Sequence, residues 1–220
     1  MSEITLVIGN KNYSSWSLRA WLTMKHLKIP FREVLLQLST PEFKEELEKY
    51  GPIGRVPVLK QGTLYLWDSL AIAEYAAELA GEGWPADREA RALARCVSAE
   101  MHSGFGNLRS LWPLNARARN RHTAMTTSLE SDIDRIDEIW NQCRHRYGAG
   151  GPWLFGEWSI ADAMFAPVVL RFNTYGARIS ETARWYMASV LEDDAMQEWL
   201  AAAKDEPWTL KSSEVGLTAS

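Results

Sequence analysis

Three short stretches of the chain carry residue types and spacings that can do chemistry. The first is Ser14-Ser15-Trp16-Ser17, which lies between a short apolar run and a segment of helix formers. A helix N-terminus favours anions, because its first N–H groups are unpaired and the backbone dipoles add up there. In thiol-redox folds built this way a CxxC pair occupies such a turn. Here the pattern is SxxS, so the turn offers no sulfur for disulfide exchange. A serine hydroxyl can instead donate a hydrogen bond to a sulfur anion brought by a ligand and lower that thiol's pKa. The same serines also suit plain helix capping. The second stretch is Arg55-Val56-Pro57-Val58. A proline at a strand start cannot donate to the ladder. A cis bond before Pro57 would leave the Val56 backbone free to pair with an extended peptide, although trans is the commoner isomer. The third is Asp68-Ser69, where a helix start could hold a carboxylate, a role compatible with capping.

These stretches sit on a recognisable succession of elements. Ile4–Ile8 reads as a buried strand and Leu18–Leu27 as a helix opened by the serines and stopped by Ile29-Pro30. Phe31–Leu38 reads as a second strand. Thr40-Pro41-Glu42 reads as a helix start, with Thr40 as cap and Pro41 at the first position. Val56–Leu59 and Leu64–Trp67 read as strands joined through Gln61-Gly62, and Asp68-Ser69 caps a helix over Leu70–Leu79. The order is β-α-β-α-β-β-α, with the first two strands parallel and the last two antiparallel. Gly81–Pro85 is turn-rich.

Beyond that turn only helical spacing recurs. Ala90, Leu93, Val97, Met101 and Leu108 share one face, as do Leu129, Ile133, Ile136, Trp140, Cys143 and Tyr147. Ser159 and Asp162 form a capping box ahead of the apolar run Ala163–Leu170. Two further helices are expected over Thr182–Val190 and Asp194–Ala203, and Lys211–Ser220 is expected to fray.

The 220 residues, 46% hydrophobic and 24% charged, are ordinary globular material. A net charge of −4 argues against a nucleic-acid partner. No stretch approaches the roughly 20 apolar residues that span a bilayer, and the five-residue apolar run near Met1 is too short for a signal segment. Cys96 and Cys143 have no CxxC spacing, and His26, His102, His122 and His145 are scattered, so no metal is expected and a reduced, cytoplasmic protein is.

Taken together and in this order, Asn12–Arg19, Gly54–Leu59, Trp67–Ile72 and Ser159–Asp162 resemble the glutathione transferase superfamily over nearly the whole chain. The Ser-Ser-x-Ser-x-Arg stretch is most similar to serine-type members, especially the zeta class that includes maleylacetoacetate isomerases. Trp16 stands where zeta enzymes usually carry Cys, Arg55 where they carry Gln, and Ser103 where they carry Gln. The resemblance implies a thioredoxin-like domain over 1–80, a linker over 81–88 and an all-helical domain over 89–220. It implies glutathione as co-substrate, no metal and a homodimer. It places the thiol-activating hydroxyl at Ser14, with Ser15 as neighbour or substitute. It sets Val56, cis-Pro57, Asp68, Ser69 and Asn107 around glutathione, with Trp16 beside them; Trp112 is expected to help bury a hydrophobic electrophile, and Arg171 to lie in that pocket although it stands a turn from the arginine that the isomerases carry for their acidic substrate. Three activities stay open: conjugation or reversible thiolate addition, a maleylacetoacetate-type cis–trans isomerisation, and a non-catalytic glutathione- or protein-binding role.

Overall fold

A computed structural model describes residues 2–51 and 53–216. Strand β1 (Ile4–Gly9) pairs in parallel with β2 (Arg32–Leu36) and antiparallel with β3 (Val58–Gln61), which in turn pairs antiparallel with β4 (Leu64–Trp67). The sheet order is β2-β1-β3-β4. Central β1 is buried along its whole length because both faces are covered. Leu6 and Ile8 point to the larger core shared with α1 (Ser15–His26) and α3 (Ser69–Ala80), and Val7 joins Leu36, Leu47 and Val58 on the face covered by α2 (Glu42–Glu48). This is a thioredoxin-like unit.

The remainder is helical: α4 (Arg88–Ser103), α5 (Gly106–Leu111), α6 (Thr127–Tyr147), α7 (Ile160–Tyr175), α8 (Glu181–Glu192) and α9 (Asp194–Asp205), with two isolated bridges near Trp153–Glu157. Helix α7 is buried nearly all round and packs on both α1 and α4, so it joins the two parts of the molecule. Leu129, Ile133, Ile136, Trp140 and Cys143 form the buried stripe of α6, and Tyr147 at its end is half-buried. Both cysteines are free.

Several local expectations need correction. Thr40 does not cap α2: its hydroxyl donates to the Gln37 carbonyl at 3.2 Å, and Pro41 takes the cap position with helical dihedrals. Ladder pairing of β3 starts only at Val58, after the proline that cannot join it, and the turn to β4 falls on Gly62-Thr63. Gly62 has φ +59°, a conformation that favours glycine there. Leu108 is not on α4, which ends at Ser103 before Gly104 and Phe105. The C-terminal segment is not frayed up to residue 216. Lys211–Ser213 form a helical turn, and Glu214 accepts hydrogen bonds from Tyr13 (2.8 Å), Asn115 (2.8 Å) and Arg121 (2.6 Å). Residues 217–220 of that expected fray lie outside the described residues.

Candidate functional site

The loop from β1 into α1 is tied down from far along the chain. Lys11 and Asn12 donate their backbone N–H groups to the Glu206 carboxylate at 2.6 and 3.1 Å. Asn12 also accepts from the Arg117 backbone at 2.9 Å and donates to Asn115 at 3.0 Å. These bonds fix the direction in which α1 begins. Ser14 is its N-cap, buried at 6% exposure, and its hydroxyl donates to Ser17 Oγ at 2.7 Å. Ser17 Oγ also accepts from the Gly9 backbone at 3.0 Å. Ser15 is half-buried, and its Oγ accepts from Arg171 Nη2 at 3.4 Å.

The next residue of α1, Trp16, forms a wall of a cleft of about 340 Å³. The opposite walls are Val56 and Pro57, joined by a cis bond, and Trp67, Asp68 and Ser69 at the end of β4 and start of α3. Ile53 and Arg55, just before Val56, and His102 from the last turn of α4 complete it. Asp68 Oδ1 accepts from the Leu70 and Ala71 N–H groups at 2.9 and 3.2 Å, so Asp68 alone caps α3. The hydroxyl of Ser69, at 1% exposure, has no hydrogen-bond partner among the described residues. A buried hydroxyl left without a partner costs free energy unless something supplies one. A larger hollow of about 800 Å³ lies between the end of α3, the start of α4 and the 147–159 segment, and shares none of these residues.

Trp16 is also surrounded by positive charge. The Arg19 guanidinium lies 4.5 Å and that of Arg109 5.5 Å from the ring centroid. Arg19 and Arg171 are both buried, at 2% and 4% exposure. Arg19 Nε donates to the Met164 carbonyl (3.1 Å) and Arg171 Nε to the Trp112 carbonyl (2.8 Å). Arg19 Nη1 and Arg109 Nε are buried without a hydrogen-bond partner among the described residues. Burial, and then the neighbouring charges of Arg171 and Arg109, push Arg19 down to about 9. Burial and Arg109 push Arg171 down to about 10. Such a group of cations suits an anion.

Two family models cover most of this chain: the N-terminal domain of glutathione S-transferase over residues 13–79, and its C-terminal domain over 103–202. The chain belongs to the glutathione S-transferase family. Among curated relatives, the maleylacetoacetate isomerase of Rattus norvegicus is 26% identical over 170 residues, 76% of each chain. The dichloromethane dehalogenase of Methylorubrum extorquens is 40% identical over 57 residues, 25% of this chain and 20% of that one. Among solved structures, a glutathione transferase homologue from Burkholderia gl BGR1 with bound glutathione superposes with a TM-score of 0.70 at 24% identity, over 93% of this chain and 99% of that one. Glutathione S-transferase unclassified 2 from Bombyx mori gives 0.74 at 19% identity, over 99% and 100%.

Of the residues expected around a ligand, Trp16, Val56, Pro57, Asp68 and Ser69 line one cleft. Ser14 and Ser15 lie beside it, at the start of the same helix as Trp16. Asn107 is exposed on α5 and Trp112 is buried, stacked on Tyr175 at 5.1 Å with its indole N–H donating to Thr123 at 2.6 Å; neither lines the cleft. Arg171 reaches the α1 start through Ser15 rather than the cleft itself. Arg19 belongs to the Ser-Ser-x-Ser-x-Arg stretch, but His102 and Arg109 were not anticipated. Nothing in their spacing marks them, because their helices meet only in the fold.

Proposed function

We propose that the protein binds glutathione in the Trp16–Pro57–Ser69 cleft and transfers its thiolate to a small electrophile. The γ-glutamyl carboxylate would take the Ser69 hydroxyl and the first N–H groups of α3, and the Val56 backbone would pair with the cysteinyl part. The sulfur would reach the start of α1, where Ser14 donates to it. The thiol gives its proton to solvent, and the sulfur pair then bonds to an electrophilic carbon that loses a leaving group, or adds reversibly to a conjugated double bond. The observation that carries this reading is the convergence of Val56, Asp68 and an unpartnered, buried Ser69 hydroxyl on one cleft beside a serine-capped helix. The reading includes a cytoplasmic homodimer, each chain with a glutathione-binding domain over 1–80 and a helical domain over 89–220 joined by a linker over 81–88.

Calorimetry should detect glutathione binding at millimolar ligand, and the bound complex should turn over a chloronitrobenzene. An absence of binding overturns the proposal, and binding with neither conjugation nor isomerisation reduces it to a non-catalytic role. A second reading is favoured by the buried Arg19 and Arg171 and the half-buried Arg109: an acidic second substrate, as in a maleylacetoacetate-type isomerase. Isomerisation of maleylacetone without net consumption of glutathione selects it.

Ser69→Ala separates ligand binding from helix capping. Asp68 supplies the cap and the lost hydroxyl is buried without a partner, so the substitution should not destabilise the protein. Glutathione affinity should fall about tenfold or more, since a hydrogen bond to a charged group contributes roughly 1.5–3 kcal/mol. An analogue amidated at the γ-glutamyl carboxylate should lose less. Unchanged affinity with a lowered melting temperature would mean that Ser69 serves the helix.

A further inference from the structure

His102 does something that neither capping nor packing requires. It stands in the last turn of α4, in the helical part of the molecule, yet its Nε2 lies 2.8 Å from Asp68 Oδ2 at the start of α3. The cap of α3 uses only the other oxygen of Asp68, so the helix would form without this contact. Asp68 itself holds φ +77°, a conformation that non-glycine residues rarely adopt. A side chain on so constrained a backbone has few directions open to it, and His102 selects one. The imidazole also meets the Trp16 ring edge-on, with centroids 5.2 Å apart at 76°. One ring therefore touches two walls of the cleft and is itself a third. Its Nδ1 is buried with no hydrogen-bond partner among the described residues, so no second bond within the protein fixes the ring.

We propose that His102 is a positioning residue for glutathione, and that its proton sets the affinity for the ligand's γ-glutamyl ammonium. This rests on the cleft being the glutathione site. Neutral His102 donates from Nε2 to Asp68 Oδ2 and holds the carboxylate facing the cleft with its charge intact. The ligand ammonium then shares that oxygen. Protonated His102 is a cation on the same carboxylate and competes with the ammonium for it. The charged groups around the imidazole are Asp68 at the start of α3, Arg55 in the same cleft, and Arg19 on α1 and Arg109 on α5, both against Trp16.

The test compares His102→Gln and His102→Leu with the wild type, by calorimetric glutathione affinity and by KM and kcat between pH 5.5 and 8. A glutamine amide places a donor where Nε2 sits and does not titrate. Wild-type KM for glutathione should rise several-fold as the pH falls from 7.5 to 5.5. His102→Gln should keep the pH 7.5 affinity within about threefold, and its KM should stay flat with pH. His102→Leu should weaken binding about tenfold at pH 7.5, consistent with loss of one charge-assisted bond. In His102→Leu kcat should change far less than KM. Deaminated glutathione, which lacks the ammonium, should bind all three proteins alike. If the wild type binds glutathione and His102→Leu binds it equally well, the role of His102 is overturned while the site stands. If His102→Gln is as weak as His102→Leu, or keeps the wild-type pH profile, the donor and proton roles are overturned. Failure of the wild type to bind glutathione overturns the site itself.

Discussion

Ser14→Ala is expected to raise the pKa of glutathione bound to the protein by about one to two units. A hydrogen bond to a charged acceptor contributes roughly 1.5–3 kcal/mol, and each pKa unit corresponds to about 1.4 kcal/mol. The sign follows from which form the bond favours: Ser14 would donate to the thiolate and not to the thiol, so its removal disfavours ionisation. The hydroxyl of Ser14 now donates to Ser17 Oγ, which accepts in turn from the Gly9 N–H. An arriving thiolate requires only that the Ser14–Ser17 bond reverse, with Ser17 donating to Ser14 and Ser14 to sulfur. The chain of donors would then strengthen the last bond. Thiolate absorbance against pH measures the shift directly. Turnover at pH 6.5 should fall about ten- to a hundredfold and recover towards wild type at high pH, where the thiol ionises unaided. A cap lost from α1 costs only about 1 kcal/mol of stability, and its acceptor bond to the Ser17 N–H is already long at 3.4 Å. Ser15→Ala is the necessary partner experiment. Ser15 Oγ accepts from Arg171 and keeps its own hydrogen free. A titration moved by Ser15→Ala and not by Ser14→Ala would transfer the role by one residue.

What the sequence disclosed and what it hid follow from the range of the interactions. The strands, the helix starting at the serines, the Asp68 cap and the Ser159–Asp162 box are local, and their residue types announce them. Boundaries moved where a neighbour decided. Ladder pairing of β3 begins two residues later than its apolar run because pairing, not hydrophobicity, defines it. Thr40 looked like a cap, yet the Gln37 carbonyl took its hydroxyl. The loop that aims α1 depends on Glu206, 195 residues from Lys11, and on Glu214, 201 residues from Tyr13. A tail of small and polar residues gives no sign that one carboxylate in it gathers Tyr13, Asn115 and Arg121. The arginines against Trp16 come from α1 and α5, and Arg171, which reaches Ser15, comes from α7. Their burial and then their mutual repulsion, which push Arg19 and Arg171 down, exist only once those helices pack.

Asp162→Ala is expected to destabilise the fold far more than the loss of the Ser14 cap, and the cause is specific. Asp162, at 1% exposure, accepts hydrogen bonds from the Ser159 N–H (2.8 Å), the Ser159 hydroxyl (3.2 Å) and the Leu154 N–H (3.0 Å). The residue after Ser159, Ile160, donates its N–H to the Gly83 carbonyl at 2.9 Å, so the start of α7 also fastens the turn between α3 and α4. Alanine leaves two buried backbone donors unpaired, each at roughly 1–3 kcal/mol, and a loss on the order of 3–5 kcal/mol follows. Helix α7, which packs on both α1 and α4, spreads that loss to both parts of the fold. The pH dependence gives a second signature. Burial pushes the Asp162 carboxyl up to about 6, and the bonds from Leu154 and Ser159 only partly offset that push. An unfolded aspartate titrates near 3.9. Between those values the folded protein holds more protons than the unfolded chain, so this group's contribution to stability falls as pH rises from about 4 to about 6. The fall amounts to roughly 3 kcal/mol at about 1.4 kcal/mol per unit. Asp162→Ala lacks that slope. Urea unfolding should therefore show a larger gap between wild type and variant at pH 5 than at pH 7.5. Asp162→Asn, which keeps one acceptor and no charge, should fall between the two and also lose the slope. A gap below about 1 kcal/mol at pH 5, less than one unpaired buried donor costs, or a gap that widens with rising pH, would show that the box is not what anchors α7.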